Sequence, residues 1–270
     1  MRKGLLYISL MLVIFYSVGP LLWQLITSLK MDYELTRIPP LLPENPSLVH
    51  YIAIFKGRMF LRVIANSAVV ASLTTLFALA IGSLCSFGLA KLATRYKALI
   101  LGFVLSISMF PPIATVSPLY LVIRSIGLRD TWWALIITYT TFSLPLTIWI
   151  LTSFFRELPD EIYYAARVDG CTPFQSYYRI VLPLSAPGIF ATAILVFIFS
   201  WNEFLYALTL TSTQASRTIP VAIALFPGIH EIPWGEIAAA SVTVTAPLII
   251  LVFAFQRRII EGLTGGAVKG

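Results

Sequence analysis

Charge is scarce in this sequence. Only 11% of its 270 residues are Asp, Glu, Lys or Arg and 58% are hydrophobic, a balance that excludes an ordinary soluble domain and makes lipid the main solvent. Cysteine is scarcer still. Cys85 falls in an apolar run and Cys171 in a charged loop, so a disulfide between them is not expected, and neither makes a metal-ligand spacing. The two histidines, His50 and His230, lie between apolar runs and read as solvated loop residues rather than ligands or general bases. There is no G-x-x-x-x-G-K-[ST] phosphate loop, no H-E-x-x-H and no G-x-S-x-G elbow, which removes ATP hydrolysis by that machinery, zinc proteolysis and the hydrolase triad. The net charge of +7 is not gathered into a basic patch interleaved with aromatics, so no nucleic-acid partner is indicated.

What the sequence has is long apolar runs. Gly4–Leu29 carries no charge and exceeds the roughly 20 residues that a transmembrane helix needs. It follows Arg2-Lys3, but it is too long for a signal-peptide core and lacks a small-x-small cleavage site, so it is read as a retained first span. Five more spans are expected at Val63–Leu89, Ala98–Ile123, Trp132–Phe155, Leu184–Leu210 and Ala238–Phe255. Six spans put both termini on one side. Eleven of the 19 Lys and Arg fall on that side, in short dense loops, against eight on the other, which assigns the termini to the cytoplasm. The expected fold is all-α: a single polytopic domain, 1–270, with six transmembrane helices. Its parts are a first span and outer loop (1–62), a helical core (63–258) and a cytoplasmic tail (259–270).

Three features interrupt the spans. Ala78, Gly82, Ser86 and Ala90 place a small residue at every fourth position of the second span, where backbones approach closely. That stripe suits packing within the chain or against a second membrane subunit. Pro111-Pro112 and Pro118 in the third span and Pro145 in the fourth each remove a backbone donor and bend or break a helix. Such breaks are tolerated where they are buried in protein or line a cavity. Trp201-Asn202-Glu203 puts a carboxylate inside the fifth span, where it has to be paired, neutral or in contact with water.

The segment Leu158–Gly188 is the only long charged stretch between apolar runs. Pro159 suits a first helical position, and Asp160 and Glu161 suit the first turn. Ala165 and Ala166 favour helix, and Gly170 supplies a stop. Thr172-Pro173-Phe174-Gln175 has the form of a capping box, with Pro183 closing the second helix. Two capped helices on a loop between spans form a handle for another protein.

These motifs together resemble the permease subunit of a binding-protein-dependent ABC sugar importer, of the type of the second permease of the maltose system. The paired alanines Ala165-Ala166, the step Asp169-Gly170 and the ending Ile180-Val181-Leu182-Pro183 are similar to that family's coupling loop. Trp201-Asn202-Glu203-Phe204 resembles its fifth-span signature. Gln256-Arg257-Arg258 followed by Gly262–Gly270 resembles its C-terminus, with Thr264, Gly265 and Lys269 as candidate tail contacts. Similarity runs from Thr27-Ser28-Leu29-Lys30 to the last residue. One departure stands out: Tyr164 occupies the position of the family's first-place glutamate.

The resemblance implies a type I importer permease that binds no cofactor itself and is not an enzyme, in a bacterial or archaeal plasma membrane. Its implied partners are a second, related permease, two copies of a P-loop ATPase that hold ATP and magnesium, an extracytoplasmic sugar-binding protein, membrane lipid and the sugar. Coupling to the ATPase would fall to Pro159, Asp160, Glu161, Tyr164, Ala165, Ala166, Asp169, Gly170 and Pro183. The stretches Ala193–Glu203 and Pro220–Phe226 are similar to importers of trehalose, maltose and related α-glucosides. Met109, Asn202, Glu203 and Tyr206 are the candidate path residues, because sugar recognition wants polar groups beside an aromatic or apolar wall. The alternatives are an ion-coupled secondary transporter, which would want ionisable groups spread through its spans, and a membrane assembly protein.

Overall fold

An unpaired backbone amide costs several kcal/mol in hydrocarbon, so apolar runs of this length satisfy their amides internally as helices. The structure, a computed structural model, describes residues 2–36, 40–57, 60–92, 95–226 and 232–264, and among them every regular element is helical. In chain order these are α1 (Arg2–Ser28), α2 (Asp32–Leu35), α3 (Val49–Gly57), α4 (Phe60–Lys91), α5 (Lys97–Ser108), α6 (Pro112–Ser125) and α7 (Trp132–Glu157). There follow α8 (Asp160–Val168), α9 (Pro173–Ser176), a π-helical turn (Tyr177–Val181), α10 (Leu182–Leu184), α11 (Ala186–Asn202), α12 (Leu205–Leu210), α13 (Ile219–Ala224) and α14 (Trp234–Thr264).

Four of these helices are long and apolar enough to cross a membrane alone: α1, α4, α7 and α14. The count reaches six only when each of two bent pairs is taken as one span. The third expected span is broken outright, α5 and α6 meeting at 91°. Pro111 is extended, with φ −60° and ψ 126°, because a residue preceding proline is driven out of the α region; Pro112 then opens α6. The fifth expected span is interrupted twice. Ser185 separates the α9–α10 segment from α11 at 80°, and Glu203, with ψ 128°, ends α11. Pro145 behaves differently: α7 runs through it without a break.

The chain falls into two units, residues 1–64 with 219–250, and residues 65–218 with 251–270. The first has a small core of Ile54, Phe60, Phe226, Ala239 and Ala240; the apolar window of α1 has no buried residue. The second is built around α7, which buries residues on most of its turns, among them Leu135, Tyr139, Leu151 and Phe155. The small-residue stripe of α4 explains how close α7 can come. A Cβ at Gly82 would lie 2.5 Å from Thr147 Cγ2, and the Ser86 hydroxyl donates to the Ile148 carbonyl at 3.1 Å. Of its two readings, the stripe serves packing within the chain.

Candidate functional site

The helical loop following α7 folds as its sequence signals require, with two adjustments. Pro159 is the N-cap of α8 rather than its first residue, with φ −52° and ψ 133°. At the other end Gly170 adopts φ +86°, the left-handed region that glycine enters at no steric cost. Its N–H reaches the Arg167 carbonyl at 3.2 Å and the Cys171 N–H reaches the Ala166 carbonyl at 3.0 Å, the paired bonds of a Schellman stop. The Thr172 capping box forms reciprocally: Gln175 N donates to Thr172 Oγ1 at 3.2 Å and Thr172 N to Gln175 Oε1 at 2.7 Å. Pro183 does not close this helix. The turn widens ahead of it, Leu182 N bonding the Tyr177 carbonyl, which relieves the clash of the proline ring with the carbonyl of Arg179.

Helix α8 has two faces. Tyr163 and Ala166 are buried, Tyr163 in a cluster with Phe87, Leu151, Phe155, Tyr177 and Val181. Glu161, Tyr164, Ala165 and Val168 are exposed, and their spacing of three, four and seven residues puts them on one stripe. Tyr164 is 61% and Val168 87% exposed, with Phe174 on the next helix at 62%. Exposed aromatic and aliphatic side chains on consecutive helices of one loop suit an interaction surface. Asp160 stands at the edge of this stripe. Its hydrogen bond to Lys91 Nζ at 2.6 Å, then the Lys91 charge, hold its carboxyl below the usual carboxylate range.

The second candidate feature is a pocket of about 450 Å³ where the α5–α6 and α11–α12 breaks meet, walled by Ser108, Phe110, Phe142, Phe199, Glu203 and Tyr206 among others. Glu203 is not a helical residue here. Its carboxylate accepts the backbone N–H groups of Tyr206 and Ala207 and so caps α12, as a carboxylate at the positive end of a helix does. Tyr206 is buried, stacks on Phe142 with ring centroids 4.9 Å apart, and shares a 2.7 Å hydrogen bond with Thr115 of α6. Fully buried Tyr139 brings its hydroxyl close to Glu203 without hydrogen-bonding geometry. Of the four path candidates, the pocket joins Glu203 and Tyr206. Met109 is 83% exposed, and Asn202 bonds the Ile198 carbonyl at 2.8 Å; neither belongs to the pocket wall.

Two polar centres escaped sequence reading. Asp130, in the left-handed region at φ 62°, accepts Ser212 N at 2.7 Å, Thr213 N at 3.0 Å, Thr213 Oγ1 at 2.8 Å and the Ser216 hydroxyl. Partial burial raises its carboxyl, but the donors of Ser216, Ser212 and Thr213 more than offset that and hold it well below the usual range. Asn66 adds bonds to the carbonyls of Gln214 and Arg217, so the 211–218 loop is pinned from two sides.

The other centre is the first long loop. His50 is not solvated: it is 4% exposed in α3, its Nε2 lies 2.8 Å from the Lys30 carbonyl, and its ring leaves no room for a Cβ at Gly235. Beside it, buried Glu34 accepts Met31 N and Glu44 N. Burial raises the Glu34 carboxyl, yet these donors, with Asn45 N and the Lys30 charge, leave it below its usual value. His230, Gly265 and Lys269 lie outside the described residues, and Thr264 is the last residue of α14.

Apolar helices, broken spans that meet at a pocket, and a capped helical handle define a multi-pass transport subunit. The family model of the binding-protein-dependent transport system inner membrane component matches residues 78–264, and the chain belongs to that family. It is accordingly a permease component and not an enzyme. It is 44% identical over 261 residues to the trehalose transport system permease protein SugB of Mycobacterium tuberculosis, covering 96% of this chain and 95% of that protein. It is 40% identical to the trehalose/maltose transport system permease protein MalG of Thermococcus litoralis, over 100% of this chain and 98% of the relative. Identity is 39% to the sulfoquinovosyl glycerol transport system permease protein SmoH of Agrobacterium fabrum, with 99% and 94% covered. A chain of the crystal structure of a bacterial ABC transporter that imports the polysaccharide alginate superposes with a TM-score of 0.82 at 18% identity, with 95% of each chain covered, a likeness of fold.

Proposed function

We propose that this chain forms one half of the translocation path of an ATP-driven importer for small glycosides, with α-glucosides such as trehalose and maltose as its first candidates. The observation that carries the reading is the outward stripe of α8, Glu161, Tyr164, Ala165 and Val168, offered by a helix fixed at both ends. It is the exposed face of a handle whose opposite face, with Tyr163, is packed in the buried cluster. A P-loop ATPase docks there, its two copies serving this chain and a second permease, and closure of the ATPase pair on ATP and magnesium moves the handles together. Such rigid-body switching needs bistable interfaces rather than chemistry in the membrane.

The sugar passes the pocket at the two breaks, where Glu203 and Ser108 supply polar atoms between Phe110, Phe142 and Phe199, the mixture that sugar recognition uses. Both termini lie in the cytoplasm, on the side of the basic short loops. The first outer loop, Lys30–Arg62, and the loop Thr211–Ile237 serve as docking surfaces for an external binding protein, and Thr264, Gly265 and Lys269 are the tail's candidate contacts to the ATPase. The glycoside assignment is supported by relatives named for trehalose, trehalose/maltose and sulfoquinovosyl glycerol transport.

The test is a gentle-detergent pull-down of the tagged chain from its native membranes, followed by uptake of labelled trehalose, maltose and sulfoquinovosyl glycerol. Co-purification of a P-loop ATPase and a second permease, with uptake that ends when ATP is depleted, is expected. Uptake that survives ATP depletion and collapses with an uncoupler would return the chain to the ion-coupled carriers.

A further inference from the structure

We propose that Lys91 is a positioning residue for coupling: it ties the handle to α4, so that α4 and the coupling segment move as one body. The signal would then enter the membrane through α4 as well as through α7, whose Leu151 and Phe155 pack in the same cluster as the handle. This rests on the proposed docking of an ATPase for the direction of the signal.

The covalent connections of the handle are bends. Between α7 and α8 the chain passes through Leu158 and Pro159, both extended, with ψ 129° and 133°. At the far end Ser185 sits at an 80° corner before α11. At these bends the covalent link does not by itself fix α8, so packing has to hold it: Leu151 and Phe155 of α7 and Phe87 of α4 share the handle's cluster.

The non-covalent connection is dense. Ser83, Phe87 and Lys91 recur every fourth residue, on one stripe of α4. The Ser83 hydroxyl pairs with the Tyr177 hydroxyl at 2.7 Å. Phe87 meets Tyr163 edge-on at 5.9 Å and Tyr177 at 5.3 Å. Lys91, the last residue of α4, donates to the Leu158 carbonyl and to Asp160 Oδ1, each at 2.6 Å. One stripe thus grips both helices of the handle and the hinge that leads into it.

Lys91 is the costly member of this stripe. Its side chain is 1% exposed, and it points at the N-terminal end of α8, where the helix dipole disfavours a cation. The Asp160 carboxylate offsets both penalties, because a buried ammonium is tolerated when paired and destabilising when its partner is removed. Lys97 adds a second positive charge within reach of Asp160. A buried cation at the wrong end of a helix, held by one carboxylate and the hinge carbonyl, is a poor choice for packing alone and a good one for fixing a joint.

The chain carries its own probes: Cys85 on α4 is exposed and Cys171 follows α8, and these are its only cysteines. With both spin-labelled in the assembled complex, its partners made cysteine-free, the Cys85–Cys171 distance is measured without nucleotide and with ATP trapped by vanadate. In the wild type it should stay the same in both states; a change would overturn the rigid-body proposal. In K91Q and in D160N the distribution should broaden or shift on trapping, with a severalfold loss of sugar imported per ATP hydrolysed. K91R, which keeps the cation and both bonds, should regain most of that ratio. Unchanged distances and ratio in K91Q and D160N would overturn the proposal. The same comparison on the chain alone in nanodiscs needs no ATPase. K91Q should broaden the distribution there too, and an unaltered one would count against the tie even if no ATPase co-purified.

Discussion

The Glu203 carboxylate takes the backbone N–H of Tyr206 at 2.9 Å on one oxygen and that of Ala207 at 3.1 Å on the other. A carboxylate in a membrane-embedded stretch is thereby spent on restarting a helix after a break. Removing a side-chain cap costs about 0.5–2 kcal/mol, and here the two amides would be left unpaired beside the pocket. E203A is therefore expected to lower the thermal midpoint of the purified chain, with E203Q, which keeps one acceptor oxygen, falling between it and the wild type. Tryptophan-fluorescence melting in nanodiscs measures both. A midpoint for E203A equal to the wild type would remove the cap.

The contact of Gly82 with Thr147 makes a separate demand on packing. A β-branched side chain is stiff at χ1, so Thr147 cannot swing aside for a Cβ placed 2.5 Å from its methyl. G82L should cost about 1–3 kcal/mol, the usual range for overpacking, and G82A less. Gly88, whose Cβ would meet nothing within 4 Å, is the matched control on the same helix: G88A should leave the melting midpoint in place. Equal shifts for the two alanine variants would show that helix propensity, not close approach, is being read.

The features legible in the sequence are those whose causes are local. The capping box of Thr172 and Gln175 and the stop at Gly170 each need only a few neighbouring residues, and both formed as read. The Pro111-Pro112 pair marked a break, and Pro112 drives Pro111 extended, but the apolar runs alone did not separate that 91° turn from Pro145, which α7 runs through. His50 misled because its burial is set by Lys30 and Gly235, distant in sequence. Asp130 carried no motif at all, since its four donors come from a loop more than eighty residues on.

Tyr163 and Tyr164 are neighbours with opposite roles, and paired substitutions separate them. Tyr163 is 7% exposed in the cluster that holds the handle on α4 and α7, whereas Tyr164 is 61% exposed. Truncating a large buried aromatic costs roughly 3–5 kcal/mol, so Y163A should lower the melting midpoint of the chain alone. Y164E puts a charge into solvent and should leave that midpoint unchanged, with ATPase recovery in pull-downs retained. Loss of the ATPase from Y164E at an unchanged midpoint would place Tyr164 in the partner's groove as a required aromatic.

Asp130 makes stability depend on pH. Its native carboxyl titrates well below the usual range, so in the unfolded chain, with an ordinary pKa of about 3.9, it binds protons more readily than in the folded one. Its contribution is fully present above that ordinary value and is lost as pH falls through it toward the depressed native pKa. The gap in melting midpoint between wild type and D130N should therefore be constant near neutral pH and narrow below about pH 4. A gap that stays constant into acid would mean that the clamp works through its geometry alone.

Gly170 joins local conformation to transport. At φ +86° an alanine is strained by about 1–2 kcal/mol, while proline, locked near φ −65°, cannot take the position and also loses the N–H bonded to the Arg167 carbonyl. G170P therefore undoes the stop and redirects the chain between α8 and the Thr172 cap, outside the apolar runs themselves. Membrane insertion should be normal and uptake abolished, with G170A intermediate. Insertion is followed by membrane fractionation and uptake with labelled glycoside in the same cells. Full uptake by G170P would mean that the geometry of the handle plays no part in coupling, and the docking face on α8 would lose its claim with it.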